Sequence, residues 1–410
     1  MSSLRLTIVQ YGGDYREAFE NFASGGKETY YAQRYSVNLV GSLARRLQQV
    51  AVVCAVSETA YDSLLANGVR AIGAGLKPGF HPSELIPLLS KTQPTRLSLT
   101  TPMVPILKWA NAKRIRTIAP LADSFQKGGL RNSFRHRLLA YYLNRPIVEW
   151  IGNHGISACL SLLDIGVTPE KIVPWDWPPS HRPSDYAPRS LGDRARRKLL
   201  YVGSISSAKG VGDLLQAMAR LQHIRPHIRL SLAGRDTGGA MAAFAKSLNI
   251  EDIVDFLGVV PNEDIPQAMR EADVVVIPSR HEYPEGLPLT IYEALSSRTP
   301  IVASNHPMFR EALVDGESAV IYPAGDVDGL ARSIERLLSD ASLYAELSGR
   351  SEEAWKRIQL PVTMGAFLEA WIADDPAQTL WIKDHSLFSG RYDKRVSNWS
   401  RGRIQFIPKG

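Results

Sequence analysis

Cysteine is nearly absent: Cys54 and Cys159 are the only two in 410 residues, and both sit in apolar segments. That argues against a disulfide framework and for buried core thiols in a reducing compartment. No apolar stretch reaches the ~20 residues that a membrane-spanning helix needs. The opening, Met1-Ser-Ser and then Leu4-Arg-Leu-Thr-Ile-Val, reads as a strand and lacks the pattern of a signal peptide. No Asp-x-Asp metal motif stands in a suitable loop, and no repeat of solenoid length occurs. The expected location is therefore cytoplasmic, without a membrane span.

What is present is a long alternation of strands and helices. At 410 residues and 44% hydrophobic content the chain is long for one domain and can fill two cores. From residue 199 on, strands are expected at Leu199–Gly203, Ile228–Ala233, Ile253–Leu257, Val274–Ile277, Pro300–Ala303 and Ala319–Tyr322. Helical patterns such as Val211–Leu221, Gly239–Leu248, Asp264–Glu271 and Val327–Leu338 separate them. Repeated β-α units imply a parallel sheet covered on both faces, an α/β fold. The N-terminal half follows the same logic less regularly. Its strands are expected at Leu4–Val9, Val50–Val56, Val69–Ile72, Arg96–Leu99, Arg116–Ala119 and Ile172–Trp175, with helices at Glu28–Leu47 and Pro102–Ala112. Proline and polar residues thicken over Pro174–Arg189, which reads as the linker. The expected domains are 1–180, 190–360, and a segment 361–410 that returns to the first domain as a crossing helix, Pro361–Asp374 with Phe367 and Trp371 on one face, and a basic aromatic tail.

The most informative local feature is the spacing of Glu285 and Glu293. Val274–Ile277 reads as a buried strand, a loop follows, and Pro288 opens a helix where a missing N–H costs nothing. Glu285 then lies above the strand's carboxyl end, where ligands bind on such sheets. Glu293 lies more than a turn into the helix. Between them the amides of Gly286, Leu287, Leu289 and Thr290 gather at a helix N-terminus, which attracts phosphate. Amides with a carboxylate on each side suit a nucleotide-sugar, a diphosphate flanked by two hydroxyl-rich rings. Taken alone, the same spacing equally describes two unrelated glutamates, one in a loop and one on a solvated helix face.

Several ordered motifs together resemble the retaining, family 4 glycosyltransferases of GT-B architecture. Glu285-Gly-Leu-Pro-Leu-Thr-Ile-Tyr-Glu293 resembles that family's E-x7-E element, and Val202-Gly-Ser-Ile-Ser-Ser-Ala-Lys209-Gly210 its first strand, loop and lysine. Ser304–Glu311 and Val314–Pro323 follow the family's closing pattern, and the resemblance covers the C-terminal half better than the N-terminal half. It implies two Rossmann-like domains facing across a cleft. It also implies sugar transfer from a UDP- or GDP-type donor to a glycan, lipid-linked or small-molecule acceptor, in cell-surface polysaccharide or glycolipid synthesis. Neither a metal nor a cofactor is expected. Lys209 and the 286–290 amides would offset the leaving diphosphate, Glu285 would hold the sugar, and Glu293 the ribose hydroxyls. Ser24-Gly25-Gly26-Lys27-Glu28 resembles the family's glycine-rich loop between first strand and first helix, and Gly25 and Gly26 are expected at the donor. Two positions depart from the pattern. Ser204 stands where an arginine is usual, with Arg280 and Arg235 as candidates to compensate. Ala122 stands where many relatives have a histidine, leaving Asp123 as a catalytic candidate and His154 as a substitute only if the fold brings it there.

Charge is uneven along the chain. Residues 108–145 carry nine basic side chains against Asp123 alone, and residues 376–410 carry seven against Asp384 and Asp393. Aromatics accompany both: Trp109, Phe125, Phe134, Tyr141 and Tyr142 in the first, Trp381, Phe388, Trp399 and Phe406 in the second. This mixture suits peripheral contact with an anionic membrane's inner face or a lipid-diphosphate acceptor, and equally a solvated basic surface with a tail packed on the first domain. No nucleic-acid-reading motif accompanies it, so nucleic acid is not an expected partner. Two other classes stay open beside the transferase. One is a phosphorylase or sugar-nucleotide epimerase on the same architecture; the other is a catalytically silent nucleotide- or glycan-binding protein.

Overall fold

The computed structural model describes residues 2–125, 129–192, 196–225, 227–310 and 312–397. Glu311, Trp399 and Phe406, named above, and Lys127, Arg401, Arg403 and Lys409, counted there among the basic side chains, lie outside the described residues. The chain divides into two compact units. Unit 1 comprises Met1–Glu28, Ala32–Pro178 and Leu360–Gly410; unit 2 comprises Thr29–Tyr31 and Pro179–Gln359.

Among the described residues unit 1 is built on eight strands: β1 Ser2–Gln10, β2 Leu47–Val56, β3 Ala60–Leu64, β4 Arg70–Leu76, β5 Arg96–Leu99, β6 Arg116–Leu121, β7 Val148–His154 and β8 Ile172–Trp175. Their order is β3-β4-β2-β1-β5-β6-β7-β8, parallel throughout except for the antiparallel edge strand β3. The central strands are apolar on both faces, as a sheet covered by helices requires. Cys54 and Cys159 are both buried free thiols. The helix Met364–Ala373, capped by Thr363, closes this core with Phe367 and Trp371. Its end is tied down electrostatically. Asp374 accepts hydrogen bonds from Arg96 and Arg116, each at 2.6 Å, and Trp371 donates its indole N–H to Glu149 at 2.5 Å.

The first helix corrects the sequence reading. No helix runs over 28–47. Instead Tyr15–Ala23 forms the first helix, with Asp14 accepting from the amides of Arg16 and Glu17, and Gln33–Ala44 forms the second. Gly25 and Gly26 close the first helix rather than open one. The Gly26 amide donates to the Asn21 carbonyl at 2.7 Å and the Gly25 amide to that of Phe22 at 3.2 Å. These two bonds form a Schellman stop, which needs a left-handed residue, and Gly25 has φ +84°. A Cβ on Gly26 would lie 2.7 Å from the Asn21 carbonyl oxygen, so the second glycine is also sterically required.

Among the described residues unit 2 holds six strands: β9 Arg197–Val202, β10 Ile228–Ala233, β11 Val254–Gly258, β12 Val274–Ile277, β13 Ile301–Ser304 and β14 Val320–Tyr322. All pairs are parallel, in the order β11-β10-β9-β12-β13-β14. The chain winds outward from β9 in one direction, then returns to β12 on its other side and winds the opposite way. The carboxyl ends of β9 and β12 therefore flank the switch point, where such sheets open a crevice. Among the described residues no helix is long and apolar enough to cross a membrane.

Candidate active site

Two loops leave the switch point of unit 2. After β9 the chain runs through Gly203 and Ser204 to Lys209 and Gly210, which starts the helix Val211–Ile224. Gly210 has φ +74°, and a Cβ there would stand 1.9 Å from the Pro278 carbonyl oxygen. Only glycine lets this turn lie against the end of β12. After β12 the chain passes Pro278, Ser279 and Glu285 to Pro288, the N-cap of the helix Leu289–Ser296. Thr290 donates its hydroxyl to the Val202 carbonyl at 3.3 Å, fixing this helix start beside the end of β9.

The loops meet in an ion pair. Lys209 Nζ lies 2.5 Å from Glu285 Oε1, and both side chains are largely shielded from water, at 16% and 7% exposure. The Ser279 hydroxyl donates to the same carboxylate oxygen at 2.6 Å. The Lys209 ammonium also lies 4.3 Å from the centre of the Tyr283 ring, an attractive cation–π contact. Tyr283 is held in turn by its backbone. Its carbonyl accepts from the Glu285 amide at 2.8 Å and lies 3.1 Å from His306 Nε2. A carbonyl only accepts, so Nε2 carries the hydrogen, while Nδ1 accepts from the Met308 amide at 3.2 Å. His306 is therefore neutral, and burial pushes its pKa down to about 4.

Beside this pair lies a cavity of about 330 Å³ lined by Ser204, Arg235, Val260, Asn262, Leu289 and Glu293, among others. Glu293 is 7% exposed and accepts from the Asn262 side-chain amide at 2.6 Å. Burial pushes its carboxyl up to about 7, only partly offset by that hydrogen bond. The site thus offers a shielded ammonium, helix-start amides, and a carboxyl that titrates near neutrality.

Of the residues expected from sequence, Lys209 and Glu285 touch, and Ser204, Arg235, Leu289 and Glu293 share the cavity. Gly286, Leu287 and Thr290 stand at or just before the helix start. Arg280 does not join them. Its guanidinium is taken by Asp213 in a two-pronged bond of 2.8 and 2.6 Å, because Asp213 is a buried carboxylate that needs a cation. Gly25 and Gly26 lie in unit 1 at a helix end, for the reason given above. Asp123 lies in unit 1 after β6, and burial pushes its carboxyl up to about 6. His154 is a core residue of unit 1, with Nε2 3.1 Å from Asp176 Oδ1 and its ring packed on Trp175. Asn262, Ser279, Tyr283, His306 and Asp213 were not anticipated. Asp213 alone carried a signal, a charge among the apolar positions of its helix.

Comparison with known proteins shows what this chain is similar to. A crystal structure of Anabaena Alr3699/HepE in complex with UDP and glucose superposes at a TM-score of 0.65 with 16% identity, covering 90% of this chain and 98% of that one. The fold is GT-B, two Rossmann-like units. Residues 187–354 match the family described as Glycosyl transferases group 1, so unit 2 carries that family's segment. A glycogen synthase of Mycobacterium tuberculosis (strain ATCC 25618 / H37Rv) is 33% identical over 144 residues, covering 35% of this chain and 34% of that protein. A phosphatidyl-myo-inositol mannosyltransferase of Mycolicibacterium smegmatis is 29% identical over 179 residues, covering 43% of this chain and 45% of that protein. The matches span less than half the length of these curated relatives.

Proposed function

We propose that the chain is a retaining glycosyltransferase that moves a sugar from a nucleoside-diphosphate donor to a glycan or lipid-linked acceptor. The observation that carries this reading is the Lys209–Glu285 pair at the switch point of unit 2, beside the helix start that follows it. Both groups are shielded, so their charge acts at short range with little screening. A bound diphosphate would compete for Lys209 and be met by the helix-start amides, a source of charge compensation that needs no divalent ion. Released from the ammonium, Glu285 would accept from the sugar's hydroxyls and hold the ring near an oxocarbenium-like geometry. Glu293, in the adjoining cavity, would accept from the ribose hydroxyls. For retention, the acceptor oxygen attacks the anomeric carbon from the leaving-group side. The bond to the diphosphate breaks with its electron pair, and a donor phosphate oxygen takes the acceptor's proton. The UDP and glucose bound by the Anabaena protein support a UDP-type donor. A lipid-linked acceptor would bring the protein to a membrane surface.

A thermal-shift panel with UDP, GDP, ADP, dTDP and CMP tests the donor class. A ligand at a hundredfold excess over its Kd stabilises the fold by about 2.7 kcal/mol. One diphosphate should raise the melting temperature clearly, and Glu285→Ala should then lose transfer far more than nucleotide binding. Equal loss of both refutes the division of labour between the glutamates. A flat panel would favour the silent binding protein that Ser204 and Ala122 leave open.

A further inference from the structure

We propose that Tyr30 forms a wall of the donor's base pocket, its ring stacking on the nucleobase of a bound nucleoside diphosphate. The inference rests on the donor site proposed above and extends it to a segment distant in the chain. The tripeptide Thr29–Tyr31 belongs to unit 2, although the rest of that unit begins only at Pro179. All three residues line the cavity of about 330 Å³ that Asn262 and Glu293 also line. The residues around the tripeptide hold it out as a loop with a tied neck. Asn21 donates its side-chain amide to the Lys27 carbonyl at 3.0 Å, and the Arg34 guanidinium donates to the Gly26 carbonyl at 2.9 Å. The Glu28 carboxylate accepts from the Arg34 amide at 2.5 Å, across the base of the loop. Ala32, which joins the tripeptide to the helix Gln33–Ala44, takes a left-handed φ of +61°, a conformation disfavoured for alanine. Within unit 2 the Tyr31 hydroxyl accepts from the Ser180 amide at 3.0 Å, which fastens the tripeptide at the cavity.

The chemistry of the wall says which part of the ligand meets Tyr30. The diphosphate takes Lys209 and the helix-start amides, and the ribose takes Glu293, which Asn262 holds at 2.6 Å. In a nucleoside the base leaves the ribose on the side away from the phosphates. Val259 and Val260 stand two and three residues before Asn262, so apolar wall begins where the ribose ends. Tyr30 and Val259 are 49 and 48% exposed, and both line this cavity. Open apolar surface inside a concave, otherwise polar site suits a flat, weakly polar group. A nucleobase is such a group, and its faces stack on an aromatic ring whatever its edge pattern. Neither the diphosphate nor the hydroxyl-rich sugar offers a comparable face. Tyr30 therefore contributes affinity for the nucleoside, while the phosphates are held without it.

Calorimetric titration of the full chain with UDP, GDP, ADP, dTDP and inorganic pyrophosphate tests this assignment. Tyr30→Ala should weaken the nucleoside diphosphate that the parent binds best on the order of tenfold to a hundredfold, as loss of a base–aromatic stack does. Tyr30→Phe keeps the ring and should bind that nucleotide within about twofold of the parent. Pyrophosphate has no base, so parent and both variants should bind it alike. Without ligand, all three should share one melting temperature, because the side chain is half exposed. Unchanged nucleotide affinity in Tyr30→Ala overturns the stacking role and leaves the donor site standing. Equal loss of nucleotide and pyrophosphate overturns it too, since the tripeptide would then shape the site without touching the base. So does a loss in Tyr30→Phe as large as in Tyr30→Ala. A parent that binds none of the four nucleotides overturns this inference and the donor site together.

Discussion

The carboxyl of Glu293 offers the sharpest test of the proposed donor site. Its ordinary pKa is near 4.5, and burial raises it to about 7 in the folded protein. Between those values the folded state holds a proton that the unfolded chain releases. Stability therefore falls as pH rises from about 4.5 through 7, by up to about 3 kcal/mol once the group is ionised in both states. Glu293→Gln keeps the shape and an acceptor for Asn262 but cannot ionise, so it should be more stable than the parent at pH 8 and little changed at pH 4.5. Ligand binding should move in the opposite sense. If ribose hydroxyls donate to the carboxylate, only the ionised protein is competent, about one molecule in ten at pH 6 and nine in ten at pH 8. Affinity for the preferred nucleoside diphosphate should then rise about tenfold over that span, beyond any rise in the Gln variant. Calorimetric titration of both proteins in the same buffers isolates the effect, because the nucleotide's own phosphate titrates identically in each. The same pH slope in parent and variant would refute the role given to Glu293.

Two further substitutions probe how the loops are held. Lys209→Met leaves the shielded Glu285 carboxylate with the Ser279 hydroxyl but no cation; it should cost about 3 kcal/mol, recovered in part by adding Glu285→Gln, as equilibrium denaturation would read. An unchanged denaturation midpoint in the single variant would mean the two charges do not support each other. Gly210→Ala forces a Cβ into the Pro278 carbonyl and should lower both stability and nucleotide affinity, whereas Gly212→Ala, whose Cβ would meet only Phe244 at 3.8 Å, should stabilise by up to ~1 kcal/mol as a helical glycine replaced by alanine. Opposite signs two residues apart are the expected melting result, and equal signs would contradict the steric argument.

Unit 2 was legible because each strand there is a short apolar run followed by a helical period, so its switch point followed from chain order. Unit 1 was harder for reasons visible in particular residues. β3 reads Ala-Tyr-Asp-Ser-Leu and is an edge strand with alternate side chains in water, leaving Leu64 exposed by 76%. β7 ends in Gly-Asn-His, polar residues buried through specific hydrogen bonds rather than hydrophobicity. The helix Tyr15–Ala23 is short and mostly polar, and the pair Gly25-Gly26 after it looks in sequence like a loop before a helix. Glycine tolerates a left-handed turn at either place, and only the bonds back to Asn21 and Phe22 decide between them. At the site, the spacing of Glu285 and Glu293 conveyed their separate surroundings. The Lys209–Glu285 contact and the diversion of Arg280 to Asp213 depend on side-chain geometry over 67 to 76 residues of separation.

Unit 1 is interrupted: 181 consecutive residues of unit 2, from Pro179 to Gln359, are inserted between its sheet and its closing helix. A ribosome adding roughly 5–20 residues per second completes β8 on the order of ten to forty seconds before Phe367 and Trp371 emerge. During that interval the sheet face that Phe367 covers is bare, while the core residues of unit 2 all lie in the stretch Pro179–Gln359, which can complete its own core. The nascent chain is thus most vulnerable to aggregation in the half made first, and a premature stop before Met364 would release an intact unit 2 attached to an open sheet.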